Sequence, residues 1–193
     1  MSEVKNTIYG NTDDCIESIL VSADQIDKIT TRIAAEIDET YKDSPNRLLL
    51  LCILKGSVVF MGDLMKKIKS PVEIDFMKVS SYASGTVSSG KINIMLDIHR
   101  KDLRELDIVI VEDIIDSGRT LSYLVNYLKL NGAASVRCCT LLDKPERRDP
   151  TIADFKADFV GCVIPDEFVV GYGLDYDQQY RNLPYVAYVE IEE

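Results

Sequence analysis

Two short, unbroken apolar runs constrain this chain more than any other feature. Residues 47–54 read RLLLLCIL, and residues 108–111 read IVIV. Neither alternates with polar residues, so both predict strands covered on both faces. Between them lie amphipathic stretches. Ser22-Ala-Asp-Gln25 has the form of a capping box, and Ile26, Ile29, Ile33 and Ile37 follow at helical spacing to about Tyr41, where Pro45 and Asn46 break the pattern. Gly56 ends the first apolar run, and Val58, Met61, Leu64, Met65 and Ile68 predict a second helix. Leu121, Leu124, Val125 and Leu128 mark a third, closed by Asn131-Gly132. Buried strands alternating with helices predict an α/β fold around a parallel sheet, with functional residues at the carboxyl ends of strands.

The rest of the chain fits that frame. Val72, Ile74 and Phe76 alternate with Glu73 and Asp75, predicting a strand with one wetter face, and Ile92, Ile94, Leu96 and Ile98 alternate likewise. The Ser- and Gly-rich residues 80–90 between them read as a mobile loop. Strands are expected over 107–111, 135–142, 159–164, 168–172 and 185–191, with a charged loop over 143–149. No internal repeat or long linker interrupts the 193 residues, which predict one domain.

A formal net charge of −10 argues against a nucleic-acid binder, which needs a basic footprint to displace counterions. Five cysteines without a CxxC spacing, three of them (Cys52, Cys138 and Cys162) inside apolar segments, read as reduced buried thiols in a cytoplasmic protein. The first residues lack a basic-then-apolar leader pattern, and no apolar run approaches the roughly 20 residues that span a bilayer. A single histidine, His99, sits where an apolar strand turns polar; multi-histidine zinc sites are excluded, and a solvent-exposed turn residue is expected there.

Chemistry concentrates in VEDIIDSGRT, residues 111–120. In a strand–loop–helix unit, the free N–H groups at the helix start, with the hydroxyls of Ser117 and Thr120, form a cradle for an anion. Gly118 lets the backbone come close, and Arg119 is a candidate extra cation. Neither GxxxxGK[ST] nor GxGxxG occurs, so the cradle is neither a P-loop nor a dinucleotide fingerprint. Glu112 and Asp113 are adjacent, and in an extended chain they point to opposite sides. Either could accept from sugar hydroxyls or help hold Mg²⁺. Asp116, inside the turn, could meet a proton on a reacting group.

VIVEDIIDSGRT resembles the phosphoribosyl-diphosphate (PRPP) motif of the type I phosphoribosyltransferases, which move ribose 5-phosphate onto a nitrogen base as pyrophosphate leaves. The resemblance implies that Glu112 and Asp113 meet the ribose hydroxyls, with Mg²⁺ bridging ribose and pyrophosphate, while Ser117, Gly118, Arg119 and Thr120 hold the 5-phosphate. Three further stretches are similar to the hypoxanthine-guanine branch. Leu54-Lys55-Gly56-Ser57 looks like its pyrophosphate loop, with a cis peptide at Lys55. Here Ser57 stands where a second Gly is common. Ser81-Tyr82 resembles the mobile loop that closes over the site and excludes water, with Ala83 where many bacterial members have Gly. LLDKPERR and PDEFVVGYGLDYDQQYRNLPYV resemble the purine-binding half.

By that match Lys144 would donate to the purine 6-oxygen, Phe168 would stack on the base, and the Val169 backbone would read its N1 and 2-position edge. Asp175 would help hold a second Mg²⁺, Arg181 would contact pyrophosphate, and Asp116 would manage the proton at purine N7. The similarity runs from about residue 19 to 191. It implies a phosphoribosyltransferase fold over 1–193, with a core of about 45–165 and a small hood from about 1–20 and 166–193. It implies an Mg²⁺-dependent purine-salvage enzyme, using two ions during turnover, that makes IMP or GMP from PRPP and hypoxanthine or guanine. The expected assembly is a homodimer or homotetramer, with no nucleic-acid or membrane partner. A xanthine-preferring enzyme, or a PRPP-sensing regulator of the same fold that binds nucleic acid, are the rival readings. Read without the resemblance, the same residues imply only an α/β protein that binds a phosphorylated sugar with Mg²⁺.

Overall fold

The computed structural model describes residues 16–81, 92–100 and 102–189. Its main sheet has six strands: β2 (Arg47–Ile53), β3 (Val72–Ser81), β4 (Ile92–Leu96), β5 (Leu106–Ile115), β6 (Ser135–Asp143) and β7 (Phe159–Val163). Their order is β4-β3-β2-β5-β6-β7. All neighbours are parallel except the antiparallel edge pair of β3 and β4. From β2 the chain winds outward to β3, whereas β5, β6 and β7 wind the opposite way. The reversal opens a crevice at the carboxyl ends of β2 and β5, the place where open α/β sheets bind ligands.

The unbroken apolar runs are explained by the layers around this sheet. In β2, Leu48, Leu50 and Cys52 join a core cluster with α1 (Ala23–Tyr41) and α2 (Val58–Met65) on one face. Leu49, Leu51 and Ile53 join the other cluster with Leu121, Leu124 and Leu128 of α3 (Arg119–Leu130). Every position from Leu48 to Ile53 faces a hydrophobic layer, so none of these can be polar. Leu50 is fully buried, and truncating it to Ala would cost about 2–5 kcal/mol. The same burial pushes the Cys52 and Cys138 thiols up to about 11 and about 12, which makes them poor nucleophiles.

α1 begins as its sequence dictates. The Gln25 N–H donates to Ser22 Oγ at 3.3 Å, and the Ser22 N–H donates to Gln25 Oε1 at 2.8 Å. A second, three-stranded antiparallel sheet joins β1 (Ile16–Val21), β9 (Val186–Val189) and β8 (Val169–Val170), so it draws on both terminal segments.

Three elements around the carboxyl edge of the sheet differ from the sequence expectation. The strand expected over 107–111 runs on to Ile115, because β6 continues beside it and pairs Glu112 with Thr140 and Ile115 with Asp143. The acidic pair therefore stands on the strand. The charged loop over 143–149 contains a 3₁₀ turn, Pro145–Arg147, with a second at Pro150–Ile152. The strand expected over 168–172 shrinks to β8, because Gly171 and Gly173 take positive φ and turn the chain away. Tyr82 and most of the Ser- and Gly-rich stretch lie outside the described residues.

Candidate active site

Four connections at the carboxyl edge of the main sheet build the site: 54–57 after β2, 116–118 after β5, 144–149 after β6 and 164–168 after β7. Two cavities occupy this edge. One, of about 280 Å³, is lined by Glu112, Ser117, Gly118 and Thr120. The other, of about 420 Å³, is lined by Asp113, Lys144, Phe168, Val169 and Asp175, with Arg147, Asp166 and Glu167. Ile114 and Asp116 line both, so the cavities adjoin at the Asp116 side chain. A larger cavity of about 500 Å³ between α1, α2 and residues 181–184 lies away from the 112–120 loop.

The smaller cavity has the character of an anion cradle. Gly118 sits before α3 with φ 77° and caps it with no side chain, and a first helical turn has N–H donors without intrahelical partners. Arg119 N–H donates to Ser117 Oγ at 3.4 Å. The Arg119 side chain is engaged by the carboxylate of Asp149.

Strand geometry separates the acidic pair, as alternation requires: Glu112 faces the smaller cavity and Asp113 the larger. Glu112 Oε2 is buried without a hydrogen-bond partner, a state found at few positions in a folded protein. Burial, with Asp113 alongside, pushes its carboxyl well above the ordinary range. Burial also raises Asp113 to about 6, against the lowering effect of the Ile114 N–H, which donates at 2.8 Å. Gly56 packs directly on the Asp113 carboxylate, and any Cβ at Gly56 would overlap it. These are hard oxygen donors, and one of them, Glu112 Oε2, has no partner. Among the described residues no cluster of three acidic, His or Cys side chains could hold a metal alone. The set fits an ion such as Mg²⁺, which takes one or two carboxylates and completes its shell with water and substrate oxygens.

The larger cavity offers a flat aromatic, a buried cation and a carboxylate. Phe168 is 41% exposed and held edge-on by Tyr176, with ring centroids 5.7 Å apart. Lys144 is 7% exposed, and its Nζ stands 3.6 Å from Asp116 Oδ1. An ammonium this buried is available to a ligand acceptor and to little else.

Asp175 pairs with Arg181 at 2.7 Å, and Arg181 also donates to the Gly173 carbonyl at 2.7 Å. Lys55 follows a cis Leu54–Lys55 peptide, and its Nζ donates to Gln178 Oε1 at 3.0 Å. The pyrophosphate-type loop and the 171–181 turn are thus in direct contact, and Gly173 packs against the Gly56 carbonyl.

Of the residues singled out from sequence, the structure gathers Glu112, Asp113, Asp116, Ser117, Gly118, Thr120, Lys144, Phe168, Val169 and Asp175 around the two cavities. Lys55, Gly56 and Arg181 line neither, although Gly56 packs on Asp113 and Arg181 pairs with Asp175, and Arg119 is occupied by Asp149. Ser81 is the last residue of β3, and Tyr82 lies outside the described residues. Sequence reasoning passed over Arg148. Its side chain is 7% exposed, pairs with Asp143 and donates to the Asp116 carbonyl at 2.6 Å.

Comparison with known proteins gives concordant results. The family described as "Phosphoribosyl transferase domain" matches residues 21–177. The hypoxanthine-guanine phosphoribosyltransferase of Bacillus subtilis is 49% identical over 172 residues, 89% of this chain and 92% of that protein. The bifunctional protein TilS/HprT of Listeria innocua is 47% identical over 177 residues, 92% of this chain. The chain spans only 26% of that longer protein. A crystal structure of a hypoxanthine phosphoribosyltransferase from Staphylococcus aureus superimposes with a TM-score of 0.84 at 41% identity, covering 92% of this chain and 94% of the other.

Proposed function

The chain belongs to the phosphoribosyl transferase family, and from that premise we propose that it transfers ribose 5-phosphate from PRPP to hypoxanthine or guanine, releasing pyrophosphate and forming IMP or GMP. The observation that carries this reading is the junction of the two cavities at Asp116, with the buried Lys144 3.6 Å beyond it. A cradle for a phosphate and a slot for a flat base meet at one carboxylate, as transfer between them requires.

In this reading the N–H groups and hydroxyls of Ser117, Gly118 and Thr120 hold the 5-phosphate, while Glu112 and Asp113 accept from the ribose hydroxyls. Phe168 stacks on the purine, and the Val169 backbone reads its N1 and 2-position edge. Lys144 donates to the 6-oxygen, which selects oxopurines over adenine, whose 6-amino group is itself a donor. Asp116 takes or holds the proton at N7 as N9 attacks C1 of the ribose, a role worth about 10²–10⁴-fold. The transition state is oxocarbenium-like, so closure over the cleft protects it from water. Lys55 and Arg181 lie on the pyrophosphate side. Two Mg²⁺ ions would complete their shells with substrate oxygens, one beside Glu112 or Asp113 and the second beside Asp175, and would supply charge neutralisation of the diphosphate.

Residues of both termini form a hood over the core in this proposal, and the enzyme works in the cytoplasm. No helix among the described residues is long and apolar enough to cross a membrane. A closed homo-oligomer is the expected assembly. Exposed Met95 and Leu96 on the edge strand β4 support it, and sedimentation tests it.

The direct test is incubation with PRPP, Mg²⁺ and each of hypoxanthine, guanine, xanthine and adenine, followed by detection of nucleotide. Product with the first two is expected. Turnover of xanthine alone would assign a different base, and no product with any base would refute the proposal.

A further inference from the structure

Residues 143–149 enter the proposed function only through Lys144, yet they do something more to the loop opposite. Three successive carbonyls of that loop accept hydrogen bonds from this one segment. Ile115 O accepts from the Lys144 N–H at 2.9 Å, and Ser117 O accepts from the Asp149 N–H at 3.0 Å. Between them, Asp116 O accepts from Arg148 Nη1 at 2.6 Å. In a trans peptide the carbonyl of one residue and the N–H of the next point in opposite directions. Tying these three carbonyls to the segment therefore aims the N–H groups of Asp116, Ser117 and Gly118 away from it. Ser117 and Gly118 are the loop donors of the proposed cradle.

Two of the three ties come from the backbone and are open to any non-proline residue. The central one depends on a side chain. Arg148 reaches it with a guanidinium that is fixed at its other end by Asp143, the last residue of β6, and both side chains are largely buried, at 7% and 12% exposure. Its Cδ stands 3.0 Å from the place a Cβ would take on Gly118, so the same side chain walls the turn that opens α3. A planar fork with two aligned donors suits this double duty, and a point-charge ammonium does not.

We propose that Arg148 is a positioning residue for the phosphate cradle. Braced by Asp143, it orients the Asp116–Ser117 peptide so that the loop's N–H groups meet the 5-phosphate. The assignment rests on the proposed transferase reading, in which this cradle takes that phosphate. It predicts an effect confined to ligands that carry the phosphate, whereas a merely structural arginine would weaken all ligands of the cleft together.

The test is calorimetric binding of GMP and of guanosine, which differ only in the 5-phosphate, to the native protein and to Arg148→Lys and Arg148→Gln, with melting temperatures alongside. In Arg148→Lys a cation still faces Asp143, so the fold should melt within a few degrees of native. GMP affinity should fall about tenfold, the worth of one well-placed hydrogen bond, and guanosine affinity should change by less than about twofold. Arg148→Gln should show the same selectivity with a larger loss and a lower melting temperature. If Arg148→Lys binds both ligands as the native protein does, or loses both equally, the assignment is overturned while the transferase reading stands. A native protein that binds GMP no better than guanosine would overturn both, and that control is read before any variant.

Discussion

The loop from Asp116 to Gly118 and the turn from Gly171 to Arg181 face the same cleft but hold their backbones by different means. The first is a strand extended to Ile115, one glycine at φ 77°, and a helix, with its carbonyls tied back by residues 144–149. The second carries four non-glycine residues at positive φ, namely Tyr172, Asp177, Gln178 and Tyr180, besides Gly171 and Gly173. Each such residue costs about 1–2 kcal/mol, so side chains must hold the turn in place. The Asp175–Arg181 pair, the Gln178 N–H on Asp175 at 2.9 Å and Tyr172 Oη on Asp63 at 2.7 Å do so. A phosphate is recognised by repeated backbone donors, which a regular strand–loop–helix supplies. The 171–181 turn instead presents single side chains, Asp175 among them, and an irregular backbone aims these at some cost in strain.

The contrast can be broken at either end. Asp116→Asn, at the junction, should have the largest effect: turnover falls about 10²–10⁴-fold in steady-state kinetics while KM for PRPP changes little. Equal loss of both would make Asp116 a structural part of the cradle. On the strained side, Gly171→Ala places a Cβ against the Tyr185 carbonyl at φ 93° and should cost about 3 kcal/mol or more in denaturant unfolding. A wild-type midpoint would show that the turn yields easily. Lys144→Gln should lower kcat/KM for hypoxanthine and guanine by roughly 10–100-fold, as expected for a lost charged hydrogen bond, and leave PRPP binding nearly intact.

Asp113 allows a smaller, opposite test. Its folded value near 6 exceeds the unfolded value of about 3.9, so the folded chain holds the proton more tightly. The stability this contributes is full below about pH 4 and is lost as pH rises through about 6. In chelator, Asp113→Asn should therefore be more stable than wild type by about 3 kcal/mol at pH 8, with the difference vanishing near pH 4. A constant difference across that range would place the cause elsewhere. The smallest effect is expected for Arg119→Gln. Its pairing with Asp149 is half exposed, so stability should change by less than about 1 kcal/mol and KM for PRPP by less than about twofold. A tenfold rise in KM would restore Arg119 to the phosphate site.

Local patterns carried a large part of this. The Leu48–Ile53 run, the Ser22–Gln25 capping box and the Asp116–Thr120 turn are each contiguous, and each has one physically favoured conformation, so the layers and the cradle could be read residue by residue. The resemblance of one stretch, residues 109–120, then supplied the donor, and three further stretches in order supplied the acceptor base. Arg148 had no such signature. Its acceptor is a backbone carbonyl 32 residues earlier, and an arginine in a charged run reads as solvated; only Asp143 at the end of an apolar strand hinted at a buried partner. The left-handed conformations of Tyr172, Gln178 and Tyr180 were equally invisible, because these residue types do not announce positive φ.

By itself, then, the sequence determined what depends on neighbours along the chain: a two-faced sheet, its helices, and a turn rich in free donors and carboxylates. Only the tertiary structure decided which way that turn faces, that Glu112 and Asp113 serve different cavities, and that Lys144 and Arg148 approach Asp116 from one segment. Those outcomes depend on parallel strands that are adjacent in space and distant in sequence. Their register is fixed by the packing of both faces of the sheet at once.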